Sequence, residues 1–159
     1  MEESADMVQP RLIGALLRIP FQATVTEVYA AVSAAGYDDL RPPHFVPFQH
    51  LRRGGAHVAD LAERAQMTRQ AMAYLVDYLE AHGYVERTPD PDDRRAKLVR
   101  LTTRGYAIER IARARLTHLE GEWARQLGAA RMQQLHVMLI ELVAVVESVE
   151  RQENDPSLP

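Results

Sequence analysis

The chain has 159 residues and a formal net charge of −3, a length that suits one domain or one domain with an extension. It contains no cysteine, which excludes disulfides, thiolate metal sites and thiol-based redox sensing. A hydrophobic fraction of 47% beside a charged fraction of 26% describes a soluble globular protein rather than a disordered or collagenous one.

The opening MEESADMVQP is acidic and lacks a basic n-region, and LIGALLRIPF after it is too short and interrupted for a signal or a span. The expected location is cytoplasmic, with no membrane partner. Residues 10–36 read as a helix, because Leu12, Ile13, Leu16, Leu17, then Val25, Val28, Tyr29 and Val32 recur at spacings of three and four. Pro20 removes a backbone donor inside it and should kink it. A second helix is expected from Pro43 to Arg53, closed by Gly54-Gly55. His57 to Ala65 form a short third helix. Thr68 is placed as the N-cap of a fourth, Arg69 to His82, with a stripe of Met72, Leu75, Val76 and Leu79.

YVERT and KLVRLT then form two short β-capable runs joined by PDPDDRRA, whose Pro-Asp and Asp-Asp pairs carry turn chemistry. Alternation in the second run puts Leu98 and Arg100 on one face and Val99 and Leu101 on the other. Thr102-Thr103 cap a long helix reaching Leu119 or Leu127. After Gly128 a last helix, about Ala130 to Arg151, carries more apolar side chains than one partner helix needs. QENDPSLP, within residues 152–159, is a polar tail expected to be disordered.

Charge is unevenly distributed along the chain. Residues 86–115 hold nine cations against five acids, whereas residues 116–159 hold three against seven. Local potential, more than total charge, steers a polyanion. Residues 56–102 read in order as short helix, tight link, second helix with a polar opening, and hairpin. This is a winged helix-turn-helix, here taken as 42–102. A helix fits the major groove and reaches base edges with its N-terminal residues. Those residues are Thr68, Arg69 and Gln70, followed by Ala73 and Tyr74. Arginine reads guanine and glutamine reads adenine in bidentate fashion. Arg94, Arg95 and Lys97 at the hairpin tip would enter a minor groove or grip phosphate, with Asp93 pairing to Arg95 and orienting it. The plainer alternative for all of these is a solvated helix start and a hairpin kept soluble by charge.

Residues 58–105 resemble the MarR family of bacterial transcription regulators. LVDYLEAHGYVER supplies Leu79, Glu80 and Gly83 of the family's Leu-Glu-x-x-Gly pattern. DDRRAKLVRLTTRG supplies Asp93 and Arg95 of the Asp-x-Arg wing, and Leu101, Thr102 and Gly105 of Leu-Thr-x-x-Gly. The resemblance implies a homodimer on pseudo-palindromic double-stranded DNA, paired through its N- and C-terminal helices, here 10–36 and 103–151. Many members release DNA on binding a small, often aromatic, effector. Tyr74 and Tyr78 depart from the basic residues that members often carry on the recognition helix. Tyr29, Phe45 and Phe48 are candidates to line an effector pocket, with core packing the alternative.

No G-x-G-x-x-G, P-loop, H-E-x-x-H or G-x-S-x-G occurs, so no enzyme class, cofactor or metal is indicated. The six histidines are scattered, and His44 and His50 are too far apart for helical metal spacing. The expected fold is mainly α with a small β-hairpin wing, and the expected function is ligand-responsive, sequence-specific repression. The rival function is a winged-helix module that binds protein through Tyr74 and Tyr78.

Overall fold

The computed structural model describes residues 12–93 and 95–153. Its elements are α1 (Ile13–Ala34), a 3-10 turn (Pro42–His44), α2 (Phe45–His50), α3 (Val58–Arg64), α4 (Arg69–Ala81), β1 (Val85–Pro89), β2 (Lys97–Leu101), α5 (Thr103–Leu127) and α6 (Ala129–Glu153). The chain is mainly helical with one two-stranded antiparallel hairpin, as its sequence predicts. It divides into two compact units, Met1–Leu116 and Thr117–Pro159, with the break inside α5.

The first unit has one core. Val28 and Val32 of α1, Leu61 and Ala62 of α3, and Met72, Val76 and Leu79 of α4 bury together with Tyr84, Val85, Val99 and Ile108. The four-residue stripe predicted on α4 is the buried set of that helix. Arg115 of α5 is tied to Glu27 of α1 at 2.7 Å. Helix α1 runs through Pro20 without interruption from Ile13 to Ala34.

The second helix departs from expectation. It begins as the 3-10 turn, because Pro42 and Pro43 fix φ and lack amide donors. It ends at His50, where Leu51 turns extended (φ −73°, ψ 126°). Residues 51–56 instead carry the chain across to the hairpin. The Ala56 amide donates to the Val99 carbonyl (3.1 Å) and the Val99 amide to the Ala56 carbonyl (2.9 Å), a third pairing beside β2. Gly55 permits this approach: its φ is +83°, and a Cβ there would sit 2.9 Å from both the Val99 carbonyl oxygen and Arg100 Cγ.

In the second unit, α6 continues through residues 152 and 153, which were expected to belong to a disordered tail. The remainder of that tail, like residues 10 and 11, lies outside the described residues. Helix α6 keeps Leu135, Val137, Met138, Ile140, Val143, Val145, Val146 and Val149 exposed. Its Ala129–Val149 stretch is long and apolar enough to cross a membrane by length and composition, and none of it is buried within the chain.

Candidate nucleic-acid interface

The link between α3 and α4 is the four residues 65–68, folded as a tight turn. The Met67 amide returns to the Ala62 carbonyl at 2.9 Å, and Gln66 takes a left-handed φ of +50°. Thr68 then caps α4 as predicted, its hydroxyl accepting from the Ala71 amide at 3.2 Å. Such a cap contributes about 1 kcal/mol and fixes where the helix begins. Thr68, Arg69, Gln70 and Tyr74 are exposed and Ala73 is half-buried, so the predicted reading residues share the accessible side of the helix start. The positive end of the helix dipole adds to Arg69 there and favours an anionic partner. Tyr74 is 71% exposed.

Tyr78 is placed differently from Tyr74. Its hydroxyl donates to the Asp39 carbonyl at 2.5 Å, and its ring is stacked between His44 and His82, each 4.0 Å away centre to centre. Burial first, then the neighbouring His82 and Arg41 charges, push the His44 imidazole below its ordinary range, with Asp39 opposing. This tyrosine therefore packs the back of the recognition helix and leaves Tyr74 as the open aromatic of the predicted pair.

Asp39 is a node that the sequence did not reveal. Besides Tyr78 it receives the Tyr84 hydroxyl at 2.6 Å, and Arg104 lies 3.6 Å from its carboxylate. Arg104 also donates to the Tyr84 hydroxyl at 2.9 Å and covers that ring, 4.6 Å from its centre. Burial, then the Asp39 hydrogen bond, push the Tyr84 hydroxyl up to about 12, with Arg104 opposing. The folded state thus keeps a proton that the unfolded chain gives up near pH 10. The resulting stabilisation is complete below pH 10 and should disappear as pH rises towards 12. A spectrophotometric titration of the six tyrosines should show one ionising late, and Tyr84→Phe should remove that late step.

The hairpin is antiparallel, with Val85 opposite Leu101 and Pro89 opposite Lys97. Val99 is buried and Arg100 half-buried, following the predicted alternation. Asp93 shapes the tip through the main chain: its Oδ1 accepts from the Arg95 amide and its carbonyl from the Ala96 amide, both at 2.9 Å. The predicted Asp93–Arg95 partnership is thus a turn contact to the Arg95 backbone. Arg95 and Lys97 are exposed, and Arg94 lies outside the described residues.

The basic segment is narrower than its composition suggests, because several of its cations are engaged internally. Arg87 of β1 bonds Asp77 (2.6 Å) and Glu80 of α4. Burial alone would lower its pKa, but the hydrogen bonds to those two carboxylates outweigh it and raise it. Arg113 pairs with Glu109, and Arg115 with Glu27. Arg87 thereby locks the recognition helix to the wing and offsets one of the two acidic charges it meets on that helix; among the described residues, Arg95 and Lys97 are the hairpin's exposed cations.

The loop end of the hairpin meets a residue that sequence reasoning passed over. His57 occupies the N-cap of α3 but makes no side-chain cap. Its Nε2 lies 3.0 Å from Asp90 Oδ2, and its Nδ1 3.1 Å from the Lys97 carbonyl. A histidine where Ser, Thr or Asp is favoured was the available signal.

The aromatic trio considered for an effector pocket packs on the core of the first unit. Phe45 is a buried core residue, Phe48 lies 6.4 Å from it ring to ring, and Tyr29 packs half-buried against the same core.

Residues 39–96 match the model of the MarR family. The HTH-type transcriptional repressor Rv2887 of Mycobacterium tuberculosis is 32% identical over 131 residues, which are 82% of this chain and 87% of that protein. The HTH-type transcriptional regulator PapX of Escherichia coli is 34% identical over 67 residues, 42% of this chain. The chain spans about two fifths of the length of PapX, 41%. Among solved structures, wild-type MarR from E. coli superposes with a TM-score of 0.67 at 24% identity, covering 84% of this chain and 98% of that one. CouR from Rhodococcus jostii RHA1, bound to p-coumaroyl-CoA, superposes with a TM-score of 0.64 at 26% identity, covering 82% and 90%.

Proposed function

The chain belongs to the MarR family, and we propose that it is a homodimeric, ligand-responsive repressor of transcription that reads a pseudo-palindromic duplex. The observation that carries this reading is the joint exposure of Arg69, Gln70 and Tyr74 at the start of a capped helix, with Arg95 and Lys97 exposed on the hairpin tied to it by Arg87. The helix start offers bidentate partners to base edges, and the hairpin offers charge to phosphate or a minor groove. The repressor Rv2887, matched over 87% of its length, supports the sign of regulation. A small aromatic effector is supported by CouR, whose structure holds p-coumaroyl-CoA. No catalytic role is assigned, and the expected location is the cytoplasm.

Dimerisation rests on α6. A helix apolar on several sides must be covered, by a second copy or by lipid. The stretch that would span a membrane includes Arg131, Glu141 and Glu147, which hydrocarbon would have to accommodate. A contact between two copies in water does not require that. In the dimer, two α4 helices would sit about one duplex turn apart, roughly 34 Å.

Selection of bound duplexes from a random pool, followed by affinity against salt, tests the reading. An inverted repeat and a steep salt slope are expected. A protein-binding module would show no enriched repeat and a flat slope. Arg95→Ala should weaken binding at every sequence by roughly 1–3 kcal/mol. Gln70→Ala should relax preference at one base pair in each half-site. Wild-type affinity in the first variant would remove the wing from the interface. An unchanged selected site in the second would remove base reading from Gln70.

A further inference from the structure

Both ring nitrogens of His57 face acceptors. A carbonyl oxygen can only accept, so Nδ1 must donate to Lys97 across 3.1 Å. The Asp90 carboxylate accepts when ionised, so Nε2 must donate to it across 3.0 Å. A neutral imidazole carries one N–H and satisfies only one of these contacts. With both made, the His57–Asp90 pair holds a proton that a neutral ring beside an ionised carboxylate lacks.

The partners lie on the two sides of the wing. Asp90 follows β1, is 9% exposed, and its other oxygen accepts from the Asp92 amide at 2.9 Å. The Asp90 amide in turn donates to the Ala96 carbonyl at 3.1 Å. Lys97 opens β2. The ring thus joins the N-cap of the helix preceding the recognition helix to both ends of the loop that carries Arg95. Among the described residues, charged groups on the segments that meet here include Asp90, Asp92 and Lys97 on the hairpin and Asp60 in the first turn of α3.

We propose that His57 and Asp90 form a proton-dependent clamp that positions the wing for DNA, so that operator affinity is set partly by pH. The proposal rests on the DNA-reading function above. His57 acts as a positioning residue: it holds the loop and does not touch the duplex. When that proton leaves, the neutral ring has one N–H for two acceptors and one contact is lost. The loop loosens, and the affinity contributed by Arg95 and Lys97 falls.

Asp90→Asn separates the clamp from its proton. The amide oxygen can still accept from the Asp92 amide, while the new NH2 donates to an unprotonated Nε2, leaving Nδ1–H on the Lys97 carbonyl. His57→Ala removes the clamp altogether. Operator affinity should be measured from pH 5.5 to 8 for the three proteins, at one salt concentration. The wild type should weaken by roughly five- to tenfold across that window. Asp90→Asn should stay tight and flat, and His57→Ala weak and flat. The same slope in all three proteins overturns the clamp, because other groups would then carry the pH effect.

Nitrogen-resolved NMR of the His57 ring, with amide exchange of Asp92, Arg95 and Ala96, tests it without DNA. Two ring N–H groups, and a wing whose amides exchange faster as one is lost, support the proposal. A single ring N–H while the wing stays ordered overturns it. If no duplex binds at any pH, the regulator reading fails, and the NMR result alone decides the clamp.

Discussion

The combined substitution Ile140→Glu with Val143→Glu should yield a folded monomer whose operator affinity is at least about 100-fold weaker than wild type. The two side chains are 59% and 55% exposed within the chain and lie three residues apart, so they share one face of α6. Fully burying a side chain of this size is worth about 1.5–3 kcal/mol, and α6 presents eight large apolar ones. Two glutamates on that face would have to lose hydration opposite their symmetry mates, which reverses the gain. The first unit has its own core around Leu61, Met72, Val76 and Val99, so it should keep its fold. Each reading head would then act alone and lose the effective concentration that linkage supplies, typically a factor of 10²–10⁴. Sedimentation velocity with circular dichroism reads the assembly, and operator titration reads the consequence. A variant that stays dimeric with wild-type affinity would show that another surface joins the copies. If instead the helix meets lipid, the wild type should require detergent and float with vesicles.

What could be read from the sequence was what local pattern determines. The α4 stripe was visible because a 3.6-residue period needs no knowledge of the partner, and all four predicted residues are buried. The Thr68 cap and the hairpin were visible because capping and turn chemistry are local. The features that were not visible are pairings between distant segments. Helix α2 stops at His50 because residues 51–56 deliver Ala56 to Val99, a partner more than forty positions away. The charge count overstated the basic surface, since Arg87, Arg104, Arg113 and Arg115 bind acids or aromatic oxygens of their own chain. Tyr78 looked like a surface residue by helical position, yet the 37–44 loop folds back and covers it through Asp39 and His44. His57 belonged to no motif, and only the hairpin's position makes its two nitrogens informative.

Gly105 shows the same boundary from the other side, since a resemblance pointed to the residue and the structure supplies its reason. Gly105→Ala should destabilise the protein by about 3 kcal/mol and should not be rescued by changing any neighbouring side chain. A Cβ at this position would lie 2.1 Å from the Tyr84 carbonyl oxygen, inside any allowed contact, and the obstacle is backbone. That oxygen cannot retreat freely, because it accepts from both the amide and the hydroxyl of Thr102, each at 3.1 Å. The Thr102 hydroxyl in turn caps α5, accepting from the Gly105 amide at 3.2 Å. The close crossing of α5 over the strand that begins the wing therefore needs threonine and glycine three residues apart. Tyr84 is also the residue that Asp39 and Arg104 hold, so a shift here should reach the recognition helix through Tyr78. Gly121→Ala makes the contrast within the same helix: its nearest obstacle is Arg125 Nη1 at 4.0 Å. Relieving a helical glycine should there stabilise by roughly 0.5–1 kcal/mol. Urea unfolding of the two variants should move the midpoint in opposite directions. A neutral Gly105→Ala would mean that α5 can lift away from Tyr84 at little cost, and the crossing would then be a contact of convenience instead of the joint that sets the wing.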